Sequence, residues 1–176
     1  MSEEVQDVQL APAESAPDSR WESLARAAVS GEGQDESVLL REFVTFRLGQ
    51  DAYALPIERV REVVRLRPIT PMPRVPGAVR GVISLRGEVV QVVDLRTRLG
   101  MEPVPAGRTS RIVVLRGEDG AVAGLLVDSV RDVLRLSDEQ IRSSGASEAD
   151  VVVSLLTDGD VFVSLLDVDR VLAFDE

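Results

Sequence analysis

Carboxylates and guanidinium groups are the side chains in this sequence that could do chemistry, because the chain contains 30 Asp and Glu, 20 Arg, and no Lys, His or Cys. Asp167 and Asp169 form a close carboxylate pair, and Asp94 ends a similar segment. Such groups can serve as general acid and base. However, Asp167 and Asp169 follow a strand pattern and open a terminal helix pattern, where acidic residues stabilise the helix N-terminus. We therefore predict that the protein is not an enzyme.

Motifs for cofactors and metals are also missing from the sequence. No glycine-rich phosphate loop of the GxGxxG or GxxxxGK type is present. Without His and Cys, the commonest metal ligands are absent as well. We therefore expect no catalytic residues, no metal site and no cofactor.

Charge is distributed unevenly along the chain, although the whole carries a formal net charge of −10. Residues 59–98 contain nine Arg against three acidic residues, whereas residues 1–40 and 117–176 are strongly acidic. The Arg-rich segment leaves open an alternative function as a small-barrel nucleic-acid-binding protein. The absence of Lys, the aromatic content of only 3% and the acidic total oppose this alternative. We therefore expect no nucleic-acid partner.

The elements that would position these residues are short strands joined by tight turns. Val, Leu and Ile dominate the apolar residues, and branched side chains of this kind favour pleated sheet over helix. From residue 41 onward, apolar segments alternate with turn signals. The pattern predicts a mainly β fold with four hairpins, whose turns lie at residues 49–51, 86–88, 117–120 and 157–160.

An internal repeat organises these strands into two copies. The matches keep order, spacing and residue type at a constant offset of 70 residues, which indicates duplication. The matched segments are Ile57–Leu66 with Val127–Leu136, and Val82–Leu85 with Val152–Leu155.

Each copy, about 41–105 and 110–174, is predicted to contribute about five short strands that close into a small barrel. A unit of that size would be marginally stable alone. We therefore expect two intimately packed barrel lobes within one domain, residues 41–174, with a groove between them.

Residues 1–40 are predicted to form an acidic, flexible N-terminal tail, because they mostly lack apolar periodicity. Within it, Ser19–Ala28 has the spacing of a short helix with Trp21 on its apolar face, and this segment docks on a partner, packs on its own domain, or forms no stable structure. We predict that deleting residues 1–38 leaves the barrels folded. The first ten residues lack signal-peptide features, and no apolar run reaches about 18 residues, so we expect a cytoplasmic protein without membrane insertion.

Several of these segments together resemble the CheW family of bacterial chemotaxis coupling proteins, over about residues 41–174. Ser84 stands where this family usually has Asn, and Gln91 where it often has Pro; neither difference threatens the fold. The segments that carry the resemblance are Val60–Val63, Ile69–Pro73, Gly81–Gly87 and Val92–Arg96.

The resemblance implies two SH3-like five-stranded barrels and a non-enzymatic adaptor. Its partners would be the cytoplasmic tip of a chemoreceptor and the regulatory domain of a CheA-type histidine kinase, in receptor arrays at the inner face of the membrane. The receptor tip is expected to dock at the groove between the lobes. The residues that the resemblance places at that surface are Val60, Glu62, Val63, Gly81 and Arg86.

Each of these residues also has a structural interpretation, which stays open at this point. Val60 and Val63 have the pattern of core residues, and Gly81 is typical of a turn or bulge. Arg86 either contacts a partner or pairs with a carboxylate, Glu62 or Asp94, inside one barrel. The kinase contacts are unknown, although turns near residues 49 and 117 are plausible places for them.

Overall fold

The computed structural model describes residues 39–145 and 150–174. Residues 1–38 of the predicted tail, including the Trp21 segment, therefore lie outside the described part, and the tail stays a prediction. Most of the described chain is strand, so the mainly β prediction is confirmed.

The described part forms eleven strands, two short helices and two 3₁₀ turns. The first half contains β1 (Arg41–Leu48), β2 (Asp51–Pro56), a 3₁₀ turn (Ile57–Arg59), β3 (Val60–Arg65), β4 (Val79–Leu85), β5 (Glu88–Asp94) and α1 (Leu95–Arg98). The second half contains β6 (Arg111–Arg116), β7 (Val122–Val127), β8 (Ser129–Leu136), a 3₁₀ turn (Asp138–Gln140), β9 (Ile141–Ser143), β10 (Val152–Asp158), β11 (Val161–Leu166) and α2 (Val168–Leu172). Among these residues no helix is long and apolar enough to cross a membrane.

All four predicted hairpins form as antiparallel pairs: β1 with β2, β4 with β5, β6 with β7, and β10 with β11. Three of their turns contain a residue with a positive φ angle directly after the first strand: Gly49, Arg86 and Gly159. Positive φ at this position matches the turn to the right-handed twist of the two strands. Turn residues thus predict the local pairing correctly.

The strands assemble into two sheets that do not follow the repeat copies. The six-stranded sheet has the order β8-β1-β2-β11-β10-β9, and the five-stranded sheet has the order β3-β6-β7-β5-β4. Each sheet therefore takes strands from both copies, which corrects our interpretation that each copy closes its own barrel. Parallel pairing of β2 with β11 joins strands of the two copies in the six-stranded sheet, and parallel pairing of β5 with β7 does so in the five-stranded sheet.

Short connections explain this exchange. Only the 3₁₀ turn at Ile57–Arg59 separates β2 from β3, and only Asp128 separates β7 from β8. Neither connection contains a residue with the positive φ angle of a tight hairpin turn, so the chain does not fold back beside the strand it has just left. It continues instead into the neighbouring sheet, once in each copy.

The structure also adjusts the alignment of the repeat. The β4–β5 hairpin has a register shift between Val79 and Gly81, and the β10–β11 hairpin has one between Val152 and Ser154. Val79 and Val152 therefore occupy equivalent places. The constant offset of 70 residues holds for β3 and β8, but a small insertion precedes β10.

Buried apolar side chains form three clusters. One lies within the five-stranded sheet and one within the six-stranded sheet. The third, the central cluster, combines residues of both sheets and both helices, so it packs the sheets together. Its members are Phe46, Leu48, Leu55, Ala78, Val93, Leu95, Val113, Leu115, Leu125, Val127, Leu166, Val168 and Val171.

Candidate partner-binding surface

The five candidate residues lie on the two edge strands of the five-stranded sheet and on the hairpin beside them. Val60, Glu62 and Val63 belong to β3 at one edge, and Gly81 belongs to β4 at the other. Arg86 occupies the turn between β4 and β5. The structure brings one pair of candidates into contact, because the Arg86 Nη2 atom lies 3.2 Å from Glu62 Oε2.

Further contacts hold the two edges of this sheet near each other. Arg61 Nη1 lies 2.6 Å from Glu88 Oε2. Arg67 Nη1 donates a hydrogen bond of 3.1 Å to the carbonyl oxygen of Ser84. Side chains of β3 and the segment after it thus reach the β4–β5 hairpin, and they place Glu62 and Arg86 at the junction of the two edges.

The Glu62–Arg86 pair is asymmetric in its exposure to solvent. The Glu62 side chain is only 18% exposed, whereas that of Arg86 is 74% exposed. Glu62 Oε1 is buried and has no hydrogen-bond partner among residues 39–145 and 150–174. Arg86 therefore pairs within the sheet and still presents most of its side chain to solvent, so its structural and binding interpretations are compatible.

The backbone of Arg86 lies in the left-handed region. Its φ angle is +49°, and that of the following Gly87 is +84°. This geometry costs an L-residue roughly 1–2 kcal/mol relative to the right-handed region. Gly or Asn would avoid most of this cost, so the turn itself does not explain an arginine at position 86.

The other three candidates are separated from this pair by burial or by orientation. Val60 is half-buried and packs against the central cluster. Val63 is 40% exposed and points away from the face of β3 that carries Glu62. Gly81 is buried, and a Cβ atom there would lie 2.0 Å from the carbonyl oxygen of Thr70. Gly81 thus allows the backbone of Thr70 to approach β4 closely, and it affects the candidate surface through the fold and not by touching a partner.

The carboxylates considered for catalysis are occupied by structural roles. Asp94 Oδ1 caps α1 by accepting hydrogen bonds from the backbone of Arg96 and Thr97, and Asp167 Oδ1 caps α2 by accepting one from the backbone of Arg170. Within the described ranges, no group of three or more Asp or Glu side chains could hold a metal ion. These residues position helices and do not form a site for acid–base chemistry.

Sequence patterns did not predict two ion pairs at the points where the chain crosses between sheets. In the first, Arg96 of α1 binds Asp128 with both Nε and Nη2, and Asp128 Oδ2 accepts a 2.7 Å hydrogen bond from the backbone N–H of Gly49. The hydrogen bonds from Arg96 are the main reason that the pKa of Asp128 is lowered.

The second crossover ion pair repeats this arrangement with the charges exchanged. Here Arg59 lies on the crossover, and its Nη2 atom donates to both carboxylate oxygens of Asp169 on α2, each at 2.7 Å. Asp169 Oδ1 also accepts a 3.0 Å hydrogen bond from the backbone N–H of Glu118. The hydrogen bond from Arg59 lowers the pKa of Asp169 and raises that of Arg59.

Each crossover ion pair thus holds one hairpin turn against one helix. The turns are those near residues 49 and 117, the places that we consider for kinase contacts. In the repeat alignment Arg59 corresponds to Ser129 and Asp128 to Glu58, so the two crossover residues lie one position apart and the repeat gives no signal for these pairs.

Comparison with known proteins identifies the family. The sequence model for the CheW-like domain matches residues 42–176. A probable chemotaxis protein CheW of Rhizobium etli is 40% identical over 112 residues, which are 63% of this chain and 71% of that protein. The chemotaxis protein CheW of Klebsiella aerogenes is 31% identical over 140 residues, which are 77% of this chain and 84% of that protein.

A solved structure agrees with these sequence matches. The crystal structure of the scaffolding protein TtCheW from Thermoanaerobacter tengcongensis matches with a TM-score of 0.72 and 27% identity, over 78% of this chain and 95% of that one. This chain therefore belongs to the CheW-like family, whose members are non-enzymatic scaffold proteins of chemotaxis.

Proposed function

We propose that this protein couples chemoreceptors to a CheA-type histidine kinase, in chemotaxis or a related chemosensory pathway. The receptor contributes the tip of a helical hairpin, and the kinase contributes its regulatory domain. The observation that carries the receptor part of the proposal is Arg86, which is held at the sheet edge by Glu62 in a strained turn and exposes most of its side chain.

Arg86 has the chemistry to recognise a helix end or an acidic side chain. A guanidinium is a planar donor that binds carboxylates and the free carbonyl groups at a helix C-terminus. The Glu62 carboxylate, on a side chain that is 18% exposed, orients Arg86 from one side, and most of the Arg86 side chain stays open to solvent. Val63 is exposed on the opposite face of β3, so the charged contact of Arg86 carries this part of the proposal by itself.

The kinase part of the proposal concerns the two hairpin turns held by the crossover ion pairs. These turns differ in length and sequence, with residues 49–50 in one and 117–121 in the other, so they offer two non-equivalent ends. Such ends allow contacts that close into mixed rings with a partner of the same fold. Contacts that are weak one by one become strong when receptors join many such rings, which fits a location in receptor arrays at the inner face of the membrane.

Nucleic-acid binding is disfavoured by how the Arg-rich segment is used. Five of its nine arginines form ion pairs within the described fold: Arg59, Arg61, Arg80, Arg86 and Arg96. Each such pair reduces the positive charge available to phosphates.

The test compares Arg86→Gly with the wild-type protein in titrations with a receptor-tip fragment and with the kinase regulatory domain of the same organism. Glycine removes the guanidinium and suits the left-handed turn, so we expect a melting temperature near that of the wild type. Receptor affinity should fall about tenfold or more, and kinase affinity should not change. Arg135→Ala is the matched control, because Arg135 is 69% exposed and is also ion-paired, with Glu42.

The possible outcomes separate the parts of the proposal. Failure of the folded wild-type protein to bind either partner would contradict the coupling function. Equal receptor binding by Arg86→Gly and the wild type would remove Arg86 from the receptor surface and leave the coupling function intact.

A further inference from the structure

The five-stranded sheet contains two arginines that lie directly opposite each other on neighbouring strands. Arg65 of β3 and Arg111 of β6 are partners in the antiparallel register. Like charges in this position repel each other and destabilise a sheet. Neither forms an ion pair within the described ranges, and Arg111 donates instead to the carbonyl oxygens of Arg108 and Ser110.

The six-stranded sheet shows what the same place holds in the other copy of the repeat. There Glu42 of β1 lies directly opposite Arg135 of β8, and Arg135 Nε donates a 2.6 Å hydrogen bond to Glu42 Oε1. Arg65 is the repeat equivalent of Arg135, so Arg111 stands where the other sheet has Glu42. The six-stranded sheet thus supplies its own carboxylate for the arginine, whereas the five-stranded sheet places a second arginine there.

One exposed apolar residue, Val63, lies beside the two arginines. Val63 lies two residues before Arg65 on the same face of β3, opposite Val113. Val113 is fully buried in the central cluster, whereas Val63 is 40% exposed. Val63, Arg65 and Arg111 therefore line the margin of the face by which this sheet packs on the other one.

We propose that Arg65 and Arg111 bind an acidic side chain of the receptor-tip helix, one helical turn from an apolar residue that contacts Val63. This inference rests on the coupling function proposed above and names the chemistry of the partner. The carboxylate takes the place that Glu42 occupies in the six-stranded sheet, and it relieves the repulsion between the two guanidinium groups.

The spacing of the surface matches an amphipathic helix. Two residues along a strand span about 7 Å, and one turn of an α-helix rises about 5.4 Å. A helix lying along β3 can thus place an apolar residue over Val63 and an acid at position i+3 or i+4 beside the arginines. Bidentate binding by arginine then fixes the orientation of the helix as well as adding affinity.

The test is a titration of a receptor-tip fragment with the full-length Arg65→Glu variant. This substitution creates an opposite-charge pair with Arg111, as in the other sheet, and Arg111 keeps its own hydrogen bonds. We expect a melting temperature equal to or above that of the wild type. Receptor affinity should be at least about tenfold weaker, because the introduced carboxylate competes for Arg111 and repels the partner acid. Wild-type affinity should also fall more steeply with added salt than that of the variant.

Two further variants make the result specific. Arg65→Gln removes one charge without adding another, and it should weaken receptor binding several-fold. Glu42→Gln breaks the equivalent pair in the six-stranded sheet and should leave receptor affinity unchanged.

Each outcome bears on a defined statement. Receptor affinity equal to that of the wild type in both Arg65 variants would overturn the inference while the coupling function stands. Loss of kinase binding with receptor binding retained would overturn it too, because the acid would then belong to the kinase. Failure of the wild-type protein to bind the receptor fragment would refute the proposed function itself.

Discussion

Gly81 offers the sharpest test of how the candidate surface is supported. Its φ angle is +137°, and an added Cβ atom would lie 2.0 Å from the Thr70 carbonyl oxygen and 2.7 Å from the Thr70 carbonyl carbon. That oxygen also accepts a 2.9 Å hydrogen bond from the backbone N–H of Val82. Thr70 therefore cannot move away from a new methyl group without losing a bond to β4.

Gly81→Ala should accordingly destabilise the protein strongly. Backbone strain contributes about 1–3 kcal/mol, and forcing an extra carbon into a packed site contributes a further 1–3 kcal/mol or so. We expect a loss of about 2–6 kcal/mol, which corresponds to a fall in melting temperature of roughly 5–20 °C for a domain of this size. Urea denaturation followed by circular dichroism measures the loss directly.

Two other glycines serve as graded controls. Gly87 also has a positive φ angle, +84°, but a Cβ atom there meets nothing within 4 Å, so Gly87→Ala should cost only about 1 kcal/mol of backbone strain. Gly77 has neither a positive φ angle nor a nearby atom, so Gly77→Ala should be nearly neutral. Equal stability of the Gly81 and Gly87 variants would refute the steric argument, because it would mean that the Thr70 contact carries no cost.

Two remaining predictions concern the contacts that join the helices to the sheets. The pKa values of Asp128 and Asp169 are lowered in the folded state, so the stability that these carboxylates contribute is present above the unfolded value of about 4 and is lost as the pH falls through their folded values. The urea midpoint should therefore fall less steeply with decreasing pH in the double variant Asp128→Asn/Asp169→Asn than in the wild type. Parallel curves for the two proteins would contradict this. Arg98 donates hydrogen bonds to the carbonyl oxygens of Arg170, Val171 and Ala173 at the end of α2. Arg98→Ala should therefore lower the unfolding free energy by about 1.5–3 kcal/mol, and Arg98→Lys should lower it less. An unchanged urea midpoint in Arg98→Ala would show that these bonds do not hold the helix.

The exposed apolar residues of the hairpins show how duplication produces two different surfaces. Val89 on β5 is 74% exposed, and Phe162 at the equivalent place on β11 is 61% exposed. Both follow a tight turn by two residues, and the six-stranded sheet also exposes the neighbouring Val161, at 54%. The side chains differ in size and shape, as do the charges of the two crossover ion pairs. A duplicated fold thus gains two ends that distinguish between partners.

Local sequence patterns predicted the features of this protein that depend on neighbours in the chain. Alternating apolar residues and turn residues located the strands and the four hairpins, because the period of two and the tight turn are properties of short segments. The position of Asp167 between strand and helix predicted its role at a helix N-terminus. The pairing of Arg86 with Glu62 was one of two possibilities that the sequence left open.

Tertiary structure decided the features that join residues far apart in the chain. The exchange of strands between copies depends on crossovers too short to reverse, which place the two strands before each crossover and the strands after it in different sheets. The contrast between Glu42–Arg135 and Arg65–Arg111 also appears only in the register of paired strands. These pairings are long-range, and local propensity does not determine them, because burial against distant strands selects the partner of each strand.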